Sequence, residues 1–149
     1  MNITRSIVRT LTVVLAWHIL AFPASTFAAK GFLRFDGVYT CHRDSSAGPV
    51  TFYLRFYPDA VGVSVLSTGT PKKLATWFNR QKQRNFRYEL RGSSIRFTEQ
   101  TKDMFFVYGG TVGHDSLSLQ VDGYDPTGKT YMGTVKDRTY KFVAIAMRP

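Results

Sequence analysis

The sequence predicts a mainly β protein: an antiparallel meander of about eight strands that closes into a small barrel, with one short helix after the third strand. Apolar and polar residues alternate over many short stretches, and Gly, Pro, Asp and Asn residues separate those stretches. The connections are too short for crossover helices, which excludes a parallel sheet. Closure into a barrel is favoured because it removes exposed strand edges.

The first 28 residues have the composition of a secretory signal peptide. Arg5 and Arg9 precede an apolar run, and small residues at Thr26 and Ala28 suit cleavage before Ala29. The run is shorter than the roughly 20 residues of a membrane-spanning helix, although an uncleaved anchor is the alternative. We therefore expect residues 29–149 to form a single domain, exported to the periplasm or the extracellular space, without a transmembrane span in the mature chain.

Charge and cysteine content limit the kind of partner and the redox chemistry. The whole chain carries a net charge of +10, and loss of Arg5 and Arg9 leaves 18 basic against 10 acidic residues, or +8. A basic exported protein meets anionic lipids, envelope polymers and acidic proteins. Cys41 is the only cysteine, so no intrachain disulfide can form. We expect its thiol to be buried and unreactive in a strand, with a redox or intermolecular role as the alternative.

The first half of the domain contains three predicted strands and the helix. The first strand covers residues 38–42, and the next two have apolar residues at alternate positions: Val50, Phe52, Leu54 and Phe56, then Val61, Val63 and Val65. The helix starts at Thr70-Pro71 and places Leu74, Trp77 and Phe78 on one face. Burial of that face is expected to outweigh the unfavourable dipole interaction of Lys72 and Lys73. The helix is then a lid at the barrel mouth or a plug.

The second half is a run of hairpins. Strands are predicted at residues 86–90 and 95–97 around Gly92-Ser93, at 104–112 and 117–121 around the turn at 113–115, and at 131–135 and 139–147 after a loop at 122–129. The residues predicted to face the barrel interior are Phe52, Leu54, Phe56, Val63, Phe97, Phe106, Leu119 and Phe142.

Two short patterns resemble known families. Gly37-Val38-Tyr39 at the head of the first strand, the meander, and Arg138 entering the last strand resemble the lipocalin plan, in which a glycine-x-aromatic motif packs against a basic residue of the last strand. Tyr39 stands where that family has tryptophan, and the helix lies between strands rather than after them. Residues 53–57, 65–70 and 75–78 are similar to small uncharacterised bacterial exported proteins. The resemblance implies a lipocalin-like barrel and no particular activity.

The sequence contains no familiar catalytic or metal-binding motif: no glycine-rich phosphate loop, nucleophile elbow or zinc-binding cysteine pair. Cys41 and His42 should point to opposite faces of a strand, and residues 114–116 indicate a hydrogen-bonded turn. Asp122 and Asp125 are too few for a calcium site, which needs six or more oxygens. We predict a non-enzymatic protein without metal or cofactor, with an unrecognised site on the strands as the alternative.

The sequence suggests two binding sites. One is the barrel interior, which either is filled by its aromatic residues or holds a small apolar ligand; its candidate residues are Phe52, Leu54, Phe56, Trp77, Phe97 and Phe106. The other is a basic surface for an anionic envelope polymer or an acidic protein, unless it is only a solvated face; its residues are Lys72, Lys73, Arg80, Lys82, Arg84 and Arg87. Export argues against nucleic acid. The expected function is binding of a small apolar ligand or an anionic envelope partner, with a protein–protein module such as an inhibitor or effector as the alternative.

Overall fold

The computed structural model of the protein describes residues 33–46 and 48–146, so the predicted signal peptide and its cleavage site lie outside the described residues. Eight antiparallel strands form a closed barrel in sequence order, which confirms the predicted fold class. A single helical turn, α1 (Pro71–Leu74), follows the third strand. The strands are β1 (Gly37–Ser45), β2 (Gly48–Tyr57), β3 (Val61–Ser67), β4 (Asn85–Arg91), β5 (Ser94–Gln100), β6 (Phe105–Val112), β7 (Ser116–Tyr124) and β8 (Tyr131–Ala144).

The hairpin connections lie at the predicted turns, but several strands begin or end at residues other than the predicted ones. Gly92 has a φ of 58°, the left-handed conformation that a two-residue hairpin loop requires, and it joins β4 to β5. β7 extends to Tyr124, past the predicted start of the loop. The two last strands predicted from the sequence are one strand, because β8 continues through irregularities in its pairing with β7 between Leu119 and Val121 and beside Gly123.

The barrel interior is filled by stacked aromatic side chains. Phe86 lies on Phe97 at 4.3 Å between ring centroids, and Phe97 lies on Tyr108 at 4.5 Å, with interplanar angles of 15° and 9°. Phe56 contacts this stack edge to face. Seven of the predicted interior residues belong to or pack against this cluster: Phe52, Leu54, Phe56, Phe97, Phe106, Leu119 and Phe142.

Val63 is the exception, because it belongs to a second apolar cluster on the outer face of the barrel. Its neighbour Gly62 pairs with Phe86, and a Cβ at residue 62 would lie 2.2 Å from the Phe86 ring. The ring therefore fills the interior space beside β3, and the alternation turns Val63 outward. There it packs with Leu74 and Phe78, which follow β3 in the chain.

The predicted helix is shorter than expected, and Trp77 is not part of its buried face. Trp77 is 47% exposed, whereas Leu74 and Phe78 are buried. The chain after α1 is fastened by β2, whose Tyr57 hydroxyl donates a hydrogen bond to the Phe78 carbonyl at 2.8 Å. These contacts place the segment on the outer wall of β1 to β3. The idea of a lid or plug at the barrel mouth is therefore wrong.

One end of the barrel is closed by the residues that precede β1. Leu33 is buried in the interior cluster, and the Arg34 guanidinium lies 3.9 Å from the centroid of the Phe142 ring. Phe142 is also the residue opposite Tyr39 in the sheet. Arg138, which the lipocalin resemblance sets against Tyr39, has its Cζ 4.3 Å from the centroid of the Phe52 ring, and Tyr39 packs edge to face with Phe56 and Phe142.

Candidate functional site

A surface depression of about 570 Å³ lies outside the barrel, between β2 and the segment that follows α1. We call it the basic groove, because two arginines from distant parts of the chain line it. Its lining residues are Arg55, Tyr57, Ala75, Thr76, Phe78, Asn79, Arg80 and Gln81. The groove exists because residues after β3 fold back over the outer wall and bury Leu74 and Phe78 there.

The two arginines of the basic groove lie over the same tyrosine ring. The Cζ atoms of Arg55 and Arg80 lie 4.5 Å and 4.9 Å from the centroid of Tyr57. Burial raises the pKa of Tyr57, so the phenol keeps the proton that it donates to the Phe78 carbonyl. The ring thus holds both guanidinium groups at the groove.

Arg80 has a partner, whereas part of Arg55 does not. Arg80 forms an ion pair with Asp59 in the turn after β2, and this contact lowers the pKa of Asp59. The Nε atom of Arg55 is buried and has no hydrogen-bond partner among the described residues. Guanidinium groups bind carboxylate, phosphate and sulfate oxygens through paired N–H donors. The groove is therefore chemically suited to an anionic oxygen.

One residue of the predicted basic surface, Arg80, lines this groove. All six predicted cations are exposed: Lys72, Lys73, Arg80, Lys82, Arg84 and Arg87. Arg80 lines the basic groove, and it shares a second depression of about 500 Å³ with Arg87. Sequence reasoning missed Arg55 and Tyr57. The sequence pattern that could have identified them is an arginine two positions before a tyrosine on the outward face of a strand. That pattern is unspecific, because it is common on solvent-exposed faces of sheets.

The predicted ligand-binding residues of the interior are brought together with one exception. Phe52, Leu54, Phe56, Phe97 and Phe106 lie in or against the interior cluster. The exception, Trp77, lies exposed on the outer segment after α1, because the helical turn ends before it.

Polar residues also occupy the interior, which the sequence analysis did not predict. Glu99 and Arg138 are buried, and the Tyr108 hydroxyl donates to Glu99 Oε2 at 2.8 Å. Burial, together with the nearby Glu99 carboxylate, raises the pKa of Tyr108. Glu99 and Arg138 occupy inward positions of strands whose other inward residues are apolar or aromatic. The alternation of the neighbouring residues therefore predicts that these two side chains point inward, provided that a charged residue is allowed inside the barrel.

The other reactive residues lie where the sequence placed them. Cys41 is buried, and burial raises the pKa of its thiol. His42 is exposed on the opposite face, with Nδ1 2.7 Å from Thr51 Oγ1. His114 and Asp115 form an exposed turn in which His114 Nδ1 lies 2.7 Å from Asp115 Oδ2.

Over the described ranges, no group of three or more His, Cys, Asp or Glu side chains is arranged to hold a metal ion. Within that same part of the chain, no helix has the length and apolar character needed to cross a membrane. Comparison with known proteins finds no matching family model, curated protein or solved structure.

Proposed function

We propose that the protein is an exported, non-enzymatic binding protein that holds an anionic partner, an acidic polymer or acidic protein of the cell envelope, in the basic groove. The observation that carries the proposal is that the guanidinium groups of Arg55 and Arg80 both lie over the Tyr57 ring and line the same groove. Hydrogen bonds from a guanidinium group to an anionic oxygen are charge-assisted and stronger than hydrogen bonds between neutral groups. An anionic oxygen in the groove would accept hydrogen bonds from these two guanidinium groups.

The surroundings of the groove support the same class of partner. Arg80 contributes a second guanidinium on the Tyr57 ring, and Lys82, Arg84 and Arg87 are exposed nearby in the sequence. Clustered cations raise the local concentration of an anionic partner and the rate of encounter. The filled interior favours the outer wall over a cavity for an apolar ligand. The proposal uses the lipocalin-like barrel only as the scaffold on which the groove lies, and it takes no activity from that resemblance.

A charge-reversal experiment tests the proposal with fluorescein-labelled heparin as a polyanion probe. We expect fluorescence anisotropy to report binding that weakens as NaCl is raised. The triple variant Arg80→Glu, Lys82→Glu, Arg84→Glu should bind at least about tenfold more weakly, because each reversal replaces attraction by repulsion.

The matched control changes net charge equally outside the groove. Lys102, Lys129 and Lys141 are exposed, and none of them lines the groove. The variant Lys102→Glu, Lys129→Glu, Lys141→Glu should lose much less affinity. Equal losses in the two variants would show that only overall charge matters and would refute a specific site.

A further inference from the structure

Three further depressions continue the basic groove around the outer wall of the barrel. Arg80 lines the basic groove and the second depression, Arg87 lines the second and a third of about 300 Å³, and Arg96 lines the third and a fourth of about 210 Å³. Because neighbouring depressions share a lining arginine, the series is continuous from β2 to β5. We call it the arginine track, and its arginines are Arg55, Arg80, Arg87, Arg91 and Arg96.

The strand pairing brings the side chains of the arginine track to one face of the sheet. Tyr57 pairs with Val61 and Val61 pairs with Arg87, so these residues form one row across β2, β3 and β4. On β5, Arg96 lies opposite Glu89, which is two residues after Arg87 on the same face of β4. At about 4.8 Å between neighbouring strands, the three steps from β2 to β5 amount to roughly 14 Å across the sheet.

The arginine track has an excess of positive charge. Its five arginines are accompanied by one carboxylate, Glu89, among the described residues that line it. Glu89 Oε2 lies 3.6 Å from Arg91 Nη2, and both side chains are exposed, so this ion pair contributes little. Arg87 and Arg96 form no ion pair with any described residue. Their guanidinium groups are therefore accessible to the anionic oxygens of a partner.

The curvature of the barrel selects the shape of that partner. The arginine track takes three of the eight strand-to-strand steps around the closed barrel, so its two ends face directions about 135° apart in a regular barrel. A rigid globular protein can contact such a convex surface over only part of this arc. A flexible linear chain can follow the curve and reach all four depressions.

We propose that the partner is an extended linear polyanion, a polymer with repeating sulfate, phosphate or carboxylate groups, which lies along the arginine track from Arg55 to Arg96. Successive anionic groups would accept hydrogen bonds from successive guanidinium groups. Contact at the basic groove would raise the effective concentration of the next groups of the same chain at the remaining depressions. The inference rests on the proposed function, because the basic groove is the first of the four depressions.

Isothermal titration with an extended and a compact polyanion tests the proposal at about 0.15 M salt. The extended probe is a heparin dodecasaccharide, and the compact probe is sucrose octasulfate, which can occupy the basic groove but cannot span the track. The variant Arg91→Glu, Arg96→Glu alters two exposed residues at the far end. It should bind the dodecasaccharide at least about tenfold more weakly, because the distant contacts are lost, and sucrose octasulfate within about twofold of the unaltered protein.

The matched control, Lys129→Glu, Lys141→Glu, makes the same change of net charge at exposed residues that line none of the four depressions. It should keep the dodecasaccharide affinity within about twofold. Equal losses in the two double variants, or no loss in Arg91→Glu, Arg96→Glu, would overturn the arginine track and leave the binding of sucrose octasulfate at the groove intact. If the unaltered protein bound neither compound, the proposed function would fail as well.

The single carboxylate of the track gives a test in the opposite direction. Glu89→Gln removes the repulsion that an extended polyanion would meet between Arg87 and Arg96. We expect this variant to bind the dodecasaccharide about two- to fivefold more tightly and sucrose octasulfate as the unaltered protein does. Unchanged or weaker binding of the dodecasaccharide would contradict a path through the third and fourth depressions.

Discussion

Gly62 shows how tightly the barrel interior is packed. A Cβ at this position would lie 2.2 Å from two atoms of the Phe86 ring, which itself stacks on Phe97. We expect Gly62→Ala to reduce the free energy of unfolding by roughly 1–3 kcal/mol, because the extra methyl group overpacks the core. Urea denaturation measures this loss.

Gly109 provides the matched control, since no atom lies within 4 Å of a Cβ built there. Gly109→Ala should change the free energy of unfolding by no more than about 0.5 kcal/mol. If the two substitutions have the same effect, the interior beside Gly62 is not filled by Phe86.

The same residues show what alternation can and cannot predict. Phe52, Leu54 and Phe56 were assigned correctly to the interior because a strand with one apolar face has a single phase. Val63 was assigned wrongly, because glycine gives no hydrophobic signal and Gly62 takes the inward position. Glu99 and Arg138 were missed because a charged residue at an inward position is normally read as exposed.

At the scale of elements, the segment after β3 should depend on Leu74 rather than on Trp77. Leu74 is fully buried against Val38, Tyr53 and Val63, whereas Trp77 is 47% exposed. Leu74→Ala should lower the free energy of unfolding by about 2–5 kcal/mol, and Trp77→Ala by less than about 1 kcal/mol. Urea denaturation of both variants tests the order, and a larger loss for Trp77→Ala would contradict the packing.

The sequence predicts where the segment after β3 begins, but not the path that it takes over the outer wall of the barrel. Thr70-Pro71 marks the first turn, as the sequence indicated. Its path is fixed by hydroxyl groups of β2: Tyr53 donates to the Gly69 carbonyl, and Tyr57 donates to the Phe78 carbonyl. These contacts join residues 16 and 21 positions apart, and no local pattern reports them.

Contacts of the segment before β1 should make part of the free energy of unfolding sensitive to acid. Arg34 lowers the pKa of Asp36, and His114 together with Arg34 lowers that of Asp115. A carboxylate with a lowered folded-state pKa stabilises the fold above its unfolded value of about 3.9, and this stabilisation is lost as pH falls through the folded-state pKa. Arg34→Met should therefore weaken the dependence of the urea midpoint on pH below about 4.

Arg96 is a suitable control for this measurement. It is exposed, and among the described residues it forms no ion pair. Arg96→Met should retain the acid dependence of the unaltered protein. An unchanged acid dependence in Arg34→Met would show that Arg34 does not stabilise the two carboxylates.

For the whole molecule, the closed barrel accounts for most of the described residues, and its interior is filled by side chains. Strand number, short turns and alternation were enough to predict closure. The basic groove was beyond prediction because Arg55 and Arg80 meet only after the chain folds back from β3 over β2. The six predicted cations are nevertheless exposed, as expected for basic residues that are interleaved with other polar residues in the sequence.

The most direct test of the proposed function is a nuclear magnetic resonance titration of the labelled protein with sucrose octasulfate, a compact polyanion. The signals to follow are the arginine Nε–Hε groups. We predict a saturable shift of the Arg55 and Arg80 signals, because sulfate oxygens in the groove would accept hydrogen bonds from the two guanidinium groups that lie there. Unmoved Arg55 and Arg80 signals, with shifts only near Lys102, Lys129 and Lys141, would contradict the basic groove as the binding site.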